Sequence, residues 1–256
     1  MNWKTFFALL ARDGHVARRN LLPTLLQNLL QPLLFTFVFG KVMTTSGMMP
    51  ATYKSMLLPG VMAISMVLAG VQAVAMPLIT EFQFTREIED RLLAPIEIGW
   101  LAVEKVVAGM VQAMVAGLVV IPAAWLIMGS GVKLDFGQPF EFLAVVLLVS
   151  LFSSAGGLAL GCSVGQTQIG LMFSLVLAPM MMFGCAYYPW SALESFPILH
   201  IAVLVNPLVY ASEGLRGALV PQVPHMNTLV VIGALAVIDL GLLYLGLKKF
   251  HQKAVS

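Results

Sequence analysis

Residues 80–95 read Thr-Glu-Phe-Gln-Phe-Thr-Arg-Glu-Ile-Glu-Asp-Arg-Leu-Leu-Ala-Pro, and they form the only densely charged run in a strongly apolar chain. Phe84, Ile88 and Leu92 recur every four residues, which places them on one face of a helix. The run lies between two long apolar segments. The pattern predicts a short amphipathic helix that is too charged to cross a bilayer.

The other side of this helix carries opposite charges at the spacing of one helical turn. Thr80 followed by Gln83 fits a capping box at its start, and Pro95 favours its end. A solvated loop helix and a helix that docks on a soluble partner are both compatible with these residues. The opposite charges are Arg86 with Asp90 and Glu87 with Arg91.

The composition is that of an integral membrane protein. Of the 256 residues, 59% are hydrophobic and 10% are charged, whereas globular chains average about 45–50% and about 25%. So few charges could not cover the surface of a soluble protein of this size. The net charge of +2 gives no sign of nucleic-acid binding.

Six apolar segments are long enough to cross a hydrocarbon layer of about 30 Å as helices. Residues 1–20, which precede the first of these segments, mix aromatic and basic side chains and are typical of a helix in the membrane interface. We therefore predict an all-α integral membrane protein with a single domain over residues 1–256. The spans are about 21–43, 55–79, 101–128, 140–164, 169–188 and 228–247.

The segment between the fifth and sixth spans is apolar but interrupted. Residues 196–205 are too few to cross, and Pro197 and Asn206-Pro207 favour breaks on either side. We predict two re-entrant half-helices within residues 189–215, which are tolerated at membrane depth where they are buried in protein or line a wet cavity. The neighbouring aromatic belt comprises Tyr187, Tyr188 and Trp190.

Six spans place both termini on the same side of the membrane. With the termini in the cytoplasm, ten Lys and Arg residues lie inside and four lie outside. This distribution follows the positive-inside rule. The charged run at residues 80–95 is then cytoplasmic.

Polar residues inside the spans are functional candidates, because polar groups in hydrocarbon are energetically unfavourable. They could line a path for a substrate, or they could form hydrogen bonds between helices. Asp239 in the last span could relay protons or have a structural role, and Glu104-Lys105 is interpreted as an interfacial pair. The candidates for a substrate path are Gln27, Asn28, Gln31, Ser65 and Gln72.

No catalytic or metal-binding residue is expected. Residues 161–165 match the GxSxG pattern around Ser163, but that motif requires a strand–turn–helix and here lies at the end of a helix. A P-loop sequence is missing, so the chain is not expected to bind ATP. The small residues fit close helix packing better, because they repeat every four positions. They are Ser153, Gly157, Gly161 and Gly165.

The layout resembles the transmembrane subunit of ABC-2 type exporters, the permeases of bacterial drug, lipo-oligosaccharide and polysaccharide export. Glu89 and Asp90 depart from the family, in which many members have a small residue and Thr. The similar motifs are Arg86-Glu-Ile-Glu-Asp-Arg-Leu-Leu-Ala-Pro95, Tyr188-Pro-Trp-Ser-Ala-Leu193, Asn206-Pro-Leu-Val-Tyr210 and Glu213-Gly-Leu-Arg216.

This resemblance implies a bacterial inner-membrane permease that exports amphipathic cargo, such as a drug, a lipid or a lipid-linked glycan. It implies two P-loop ATPase subunits that hold ATP and Mg, and a second copy of the chain or a sister permease. The implied external gate is Tyr188, Pro189, Asn206, Pro207 and Arg216. The implied ATPase-coupling residues are Glu81, Phe84, Arg86, Glu87, Ile88, Glu89, Arg91 and Leu92.

Two other functions are compatible with the residues. A proton- or ion-coupled secondary transporter would use Asp239, although no inverted repeat is evident. An intramembrane hydrolase would use Ser163.

Overall fold

The structure, a computed structural model, describes residues 3–82 and 97–255, and this part of the chain contains helices and no strands. We number the helices in chain order. They are α1 (Trp3–Arg19), α2 (Leu21–Phe35, continued by the π-helical Thr36–Val42 and by Met43–Thr45), α3 (Tyr53–Thr80), α4 (Ile98–Met128), α5 (Pro139–Ser163), α6 (Ile169–Met182), α7 (Pro197–Ala202), α8 (Pro207–Leu219) and α9 (Thr228–Val255).

Five helices of the described part are long and apolar enough to cross a membrane: α2, α3, α4, α5 and α9. They correspond to five of the six predicted spans, and the all-helical membrane architecture is confirmed. Helix α1 forms as expected, whereas its position in the membrane interface stays a prediction.

The predicted span at residues 169–188 is not confirmed. Helix α6 ends at Met182, and its 14 residues reach only about 21 Å at 1.5 Å per residue. Beyond it the chain bends, because Cys185 adopts a positive φ of 50° and the Tyr187 carbonyl accepts a hydrogen bond from the Tyr53 hydroxyl. The strained turn replaces the last helical turns that the apolar pattern suggested.

The chain nevertheless changes ends of the bundle across α6. Gly161, near the end of α5, lies against Ala75 in the last third of α3, whereas Ala186 lies against Gly60 near the start of α3. We call the end that contains Thr80 and α1 the charged end, and the end that contains Tyr53 the opposite end. The segment from residue 164 to residue 187 therefore connects the charged end to the opposite end.

Helix α3 is the centre of the packing. It is buried on every side from Leu57 to Val71, as expected for a helix that is apolar all round. Helices α4, α5 and α8 pack around it. The predicted small-residue contact is confirmed, because a Cβ on Gly157 would lie 2.8 Å from the Val71 carbonyl oxygen and one on Gly161 would lie 2.9 Å from the Ala75 Cα.

A sharp bend separates the two helices before α9. Pro197–Val205 and Pro207–Leu219 meet at 97°, and the Asn206 side chain caps α8 by accepting a hydrogen bond from the Leu208 N–H. Two short helices with a break at Asn206 thus occur where half-helices were predicted within residues 189–215, although the second helix extends to Leu219. Whether they dip into the membrane and return stays a prediction.

We expect Gly60→Ala to destabilise the protein by about 1–3 kcal/mol, the usual range for overpacking a core. A Cβ at residue 60 would lie 1.8 Å from the Ala186 carbonyl oxygen, so the loop would have to move away from α3. The melting temperature of the purified chain in detergent measures the effect. Gly156→Ala is the matched control, because nothing lies within 4 Å of its Cβ, and equal melting of the two variants would contradict this packing.

Candidate functional site

A buried lysine joins three helices at the charged end. The Lys105 Nζ of α4 lies 2.7 Å from Asp13 Oδ2 on α1 and 2.9 Å from Glu81 Oε1 at the end of α3. The Lys105 side chain is only 4% exposed. The interpretation of Lys105 as an interfacial partner of Glu104 is therefore wrong, since Lys105 pairs with carboxylates of two other helices.

Phe82, the last residue of the charged run that is described before residue 83, contacts the C-terminal part of α9. Its ring lies 5.7 Å from the Phe250 ring, edge to face, and the Lys253 Nζ lies 4.9 Å from its centre. Aromatic and cation–π contacts of this kind contribute about 0.5–1.5 kcal/mol each. Glu81 and Phe82 therefore attach the start of the charged run to α1, α4 and α9.

The predicted docking helix itself falls mostly outside the described residues. Among the predicted coupling residues, only Glu81 is described, and it is buried. Thr80 is helical and its hydroxyl donates a hydrogen bond to the Met76 carbonyl, so it is the last residue of α3. Gln83, its partner in the predicted capping box, lies outside the described residues. The residues outside the described part are Phe84, Arg86, Glu87, Ile88, Glu89, Arg91 and Leu92.

Two adjoining cavities lie between α1, α2, α3 and α4. The polar cavity has a volume of about 600 Å³ and extends to Thr80, Glu81 and Lys105 at the charged end. The apolar cavity has a volume of about 250 Å³. They share the wall residues Asp13, Ala17, Thr24, Ala108 and Gln112.

The structure brings three of the five predicted path residues to these cavities. Gln27 and Gln72 line the polar cavity, and Asn28 lines the apolar cavity. Gln31 is exposed and lines neither. Ser65 is fully buried and its hydroxyl donates to the Val61 carbonyl, so this hydroxyl has a structural partner.

A buried carboxylate organises the opposite end. Glu213 Oε1 accepts hydrogen bonds from the Trp190 N–H at 2.9 Å and from Arg216, and Oε2 accepts one from the Met226 N–H at 2.9 Å. Arg216 also donates to the Cys185 carbonyl at 2.9 Å. Glu213 and Arg216 are both almost completely buried. This pair, the outer ion pair, ties α8 to the loops on both sides of it.

The residues of the predicted external gate lie in α8 and in the segments that precede it. Asn206 donates to the Met180 carbonyl at 2.7 Å and so connects α8 to α6. The Tyr188 hydroxyl donates to the Met182 carbonyl at 3.3 Å, and Pro189 precedes the short helical turn Trp190–Leu193. Arg216 belongs to the pair itself. Their role as a gate stays a prediction.

The sequence reasoning missed Glu213 as a functional candidate. The sequence contained a signal for Glu213, because an acidic and a basic residue three positions apart in an apolar segment can form an ion pair on one face of a helix. Asn28, by contrast, was predicted as a residue of the substrate path; the structure places it in the wall of the apolar cavity, and its role in transport stays a prediction.

Cys185 lies beside the outer ion pair and is completely buried. Reactive cysteines are at least partly exposed, so this thiol is out of reach of water-soluble reagents while the loop stays closed.

The remaining candidates are Ser163 and Asp239. The Ser163 hydroxyl donates to the Ala159 carbonyl within its own helix, and Ser163 does not lie on a strand–turn–helix. Asp239 in α9 is 2% exposed, and within the described residues neither carboxylate oxygen has a hydrogen-bond partner. No group of three or more potential metal ligands occurs among the described residues.

Comparison with protein families gives a match over most of the chain. The model of the ABC-2 type transporter family matches residues 4–220. The chain belongs to the ABC-2 type transporter family. This ABC-2 permease is also similar to the inner membrane transport permease YadH of Escherichia coli K12, with 26% identity over 238 residues and 90% of each chain covered. The YadH proteins of E. coli O157:H7 and Shigella flexneri match equally. No solved structure matches.

Family and fold agree on the general role of this ABC-2 permease. It is a multi-pass inner membrane protein and a subunit of a membrane transporter. Permeases of this family normally work with ATPase subunits.

Proposed function

We propose that the chain is the membrane-spanning subunit of an ATP-driven exporter of amphipathic cargo, such as a drug, a lipid or a lipid-linked glycan. A separate pair of P-loop ATPase subunits binds ATP with Mg and hydrolyses it. A second copy of the chain, or a sister permease, completes the membrane part. Residues 80–95 form the coupling helix.

The buried contact of Lys105 with Glu81 and Asp13 is the observation that carries this proposal. A coupling helix needs a rigid link from the docked segment to the helices that line the substrate path. Glu81 is two residues before the undescribed part of the charged run, and Lys105 and Asp13 line the polar cavity. A displacement of residues 83–96 would therefore act directly on the cavity walls.

The orientation follows from charge. The termini and the charged end lie in the cytoplasm, where most Lys and Arg residues are then found. The segment from residue 164 to residue 187 makes the sixth crossing, and the outer ion pair closes the outer side. The polar cavity then faces the cytoplasm, as the loading site of an exporter must.

Reactivity of Cys185 tests the proposal without knowledge of the cargo. The chain has two cysteines, Cys162 and Cys185, so Cys162→Ser leaves one reporter beside the outer ion pair. We would purify this variant with its ATPase from the native host, reconstitute the complex and measure labelling by a membrane-impermeant maleimide. ATP should raise the labelling rate at least about tenfold, because opening exposes the buried thiol to the reagent.

The controls separate ATP from other energy sources. Without the ATPase, labelling of Cys185 should stay at the basal rate. With a non-hydrolysable ATP analogue, labelling should stay at the basal rate or stop after one opening. Failure of any P-loop ATPase to co-purify, together with labelling that is indifferent to ATP, would contradict the proposal.

The buried carboxylate of Asp239 favours a second candidate, a proton-coupled secondary transporter. A buried acid without a described partner is a common element of proton relays. In that case a proton gradient alone should raise Cys185 labelling in the chain without ATPase, and Asp239→Asn should abolish the effect. The proposed ATP-driven exporter predicts no response to the gradient and unchanged ATP-driven labelling in Asp239→Asn.

A further inference from the structure

Asn28 is the polar group of the cavity walls that is buried without a partner. It is 2% exposed, and neither its amide oxygen nor its amide nitrogen has a hydrogen-bond partner within the described residues. Buried amides in folded proteins are almost always paired. An amide that lacks both kinds of bond is unfavourable for folding and indicates a role in binding.

The surroundings of Asn28 define what could pair with it. The apolar cavity is walled mainly by aliphatic side chains, among them Leu25, Val111 and Val115. Gln112 supplies a second amide on the facing helix α4. The charged lining residues, Asp13 and the exposed Arg18, both come from α1, and Asp13 is paired with Lys105. The lining residues of α2, α3 and α4 are uncharged, so an uncharged ligand group can bind at Asn28 without a countercharge.

The neighbouring polar cavity differs in chemistry. Its charged walls include Arg12 and the Lys105 cluster, in which one cation contacts the carboxylates of Asp13 and Glu81. The two cavities adjoin at Gln112 and Thr24, which line both.

We infer that the apolar cavity binds an amphiphile through an uncharged group that both donates and accepts hydrogen bonds, seated on Asn28 and assisted by Gln112. Because no hydrogen bond from the described residues holds the Asn28 amide in place, it can rotate about its last torsion toward a ligand. The apolar body of the ligand lies against the aliphatic walls. This inference rests on the proposed transport function, and it narrows the cargo.

The site lies within a single chain. All residues of the apolar cavity come from α1, α2, α3 and α4 of one protomer. A dimer therefore contains two such sites, and each should bind independently of a site formed between the two chains.

A pair of probes tests the inference. Dodecanamide carries a primary amide that donates and accepts, whereas methyl dodecanoate has the same chain and only accepts. We would measure saturable binding of the radiolabelled probes to the purified full chain in nanodiscs, without ATPase. The wild type should bind dodecanamide about tenfold more tightly than the ester, the usual effect of one or two buried hydrogen bonds.

Asn28→Leu should abolish this preference and should leave the melting temperature equal or higher, because it removes a buried amide without partners. Gln31→Leu is the matched control, since this amide lies on the same helix outside both cavities, and it should bind like the wild type.

The opposite results would overturn the inference. Equal binding of the two probes by the wild type would do so, as would an unchanged preference in Asn28→Leu. A lower melting temperature of Asn28→Leu would show that Asn28 has a structural role. No ATPase takes part in these binding measurements, so a negative result would not count against ATP-driven transport. The Cys185 labelling experiment tests that proposal separately.

Discussion

Glu213→Gln is expected to destabilise the permease by about 3–5 kcal/mol, the usual effect of removing one partner of a buried ion pair. The amide keeps the shape of the side chain but leaves the guanidinium of Arg216 without a countercharge in a fully buried position. It also weakens the acceptors of the Trp190 and Met226 N–H groups. Native proteins are stable by only about 5–15 kcal/mol, so much of the protein should fail to fold at growth temperature.

Two further variants show whether the lost charge of Glu213 causes the destabilisation. Glu194→Gln alters an exposed acid of the same segment and should melt like the wild type. The double variant Glu213→Gln with Arg216→Gln should be more stable than Glu213→Gln alone, because it removes the uncompensated charge. If Glu213→Gln melts at the wild-type temperature, the outer ion pair does not stabilise the protein as expected.

Lys105→Met is expected to uncouple ATP hydrolysis from movement of the bundle. The substitution keeps the length and apolar stem of the side chain but removes the cation that joins Asp13 and Glu81. The ATPase should still bind and turn over, since residues 83–96 are unchanged. The ATP-dependent increase in Cys185 labelling should fall at least about tenfold, because a charge-assisted contact contributes about 1.5–3 kcal/mol.

Lys105→Arg should recover most of the coupling, since it restores a cation within reach of both carboxylates. Lys248→Met removes an exposed lysine near the same end and should label like the wild type. If Lys105→Met labels normally with ATP, the buried contact does not transmit movement. If ATPase binding is lost as well, Lys105 acts on docking and not on transmission.

The spans were predictable because the bilayer is a uniform solvent. Every residue of a crossing helix must suit hydrocarbon, so the runs at 55–79 and 101–128 could be recognised without any knowledge of contacts. The close approach of α5 to α3 was equally predictable from Gly157 and Gly161. Both features depend on local sequence alone.

The polar contacts were not predictable, because they join residues that are distant in sequence. Nothing near Lys105 in the chain indicates Asp13, which is 92 positions away. The end of α6 was missed for a related reason, since Met182 is followed by apolar residues and the turn depends on contacts of Tyr187 with α3. Contacts between residues that are distant in sequence therefore determine both the ion pairs of Lys105 and the end of α6.

Reversal of the charges at residues 87 and 91 tests the central claim most directly. The variant Glu87→Arg with Arg91→Glu keeps an opposite-charge pair four residues apart, so the helix should still form, while any partner surface meets inverted charges. We measure ATPase co-purification and ATP-driven Cys185 labelling in the Cys162→Ser background. Loss of the ATP-driven labelling with an unchanged melting temperature is the predicted result. A reversed chain that binds its ATPase and labels with ATP like the wild type would contradict a coupling helix at residues 80–95.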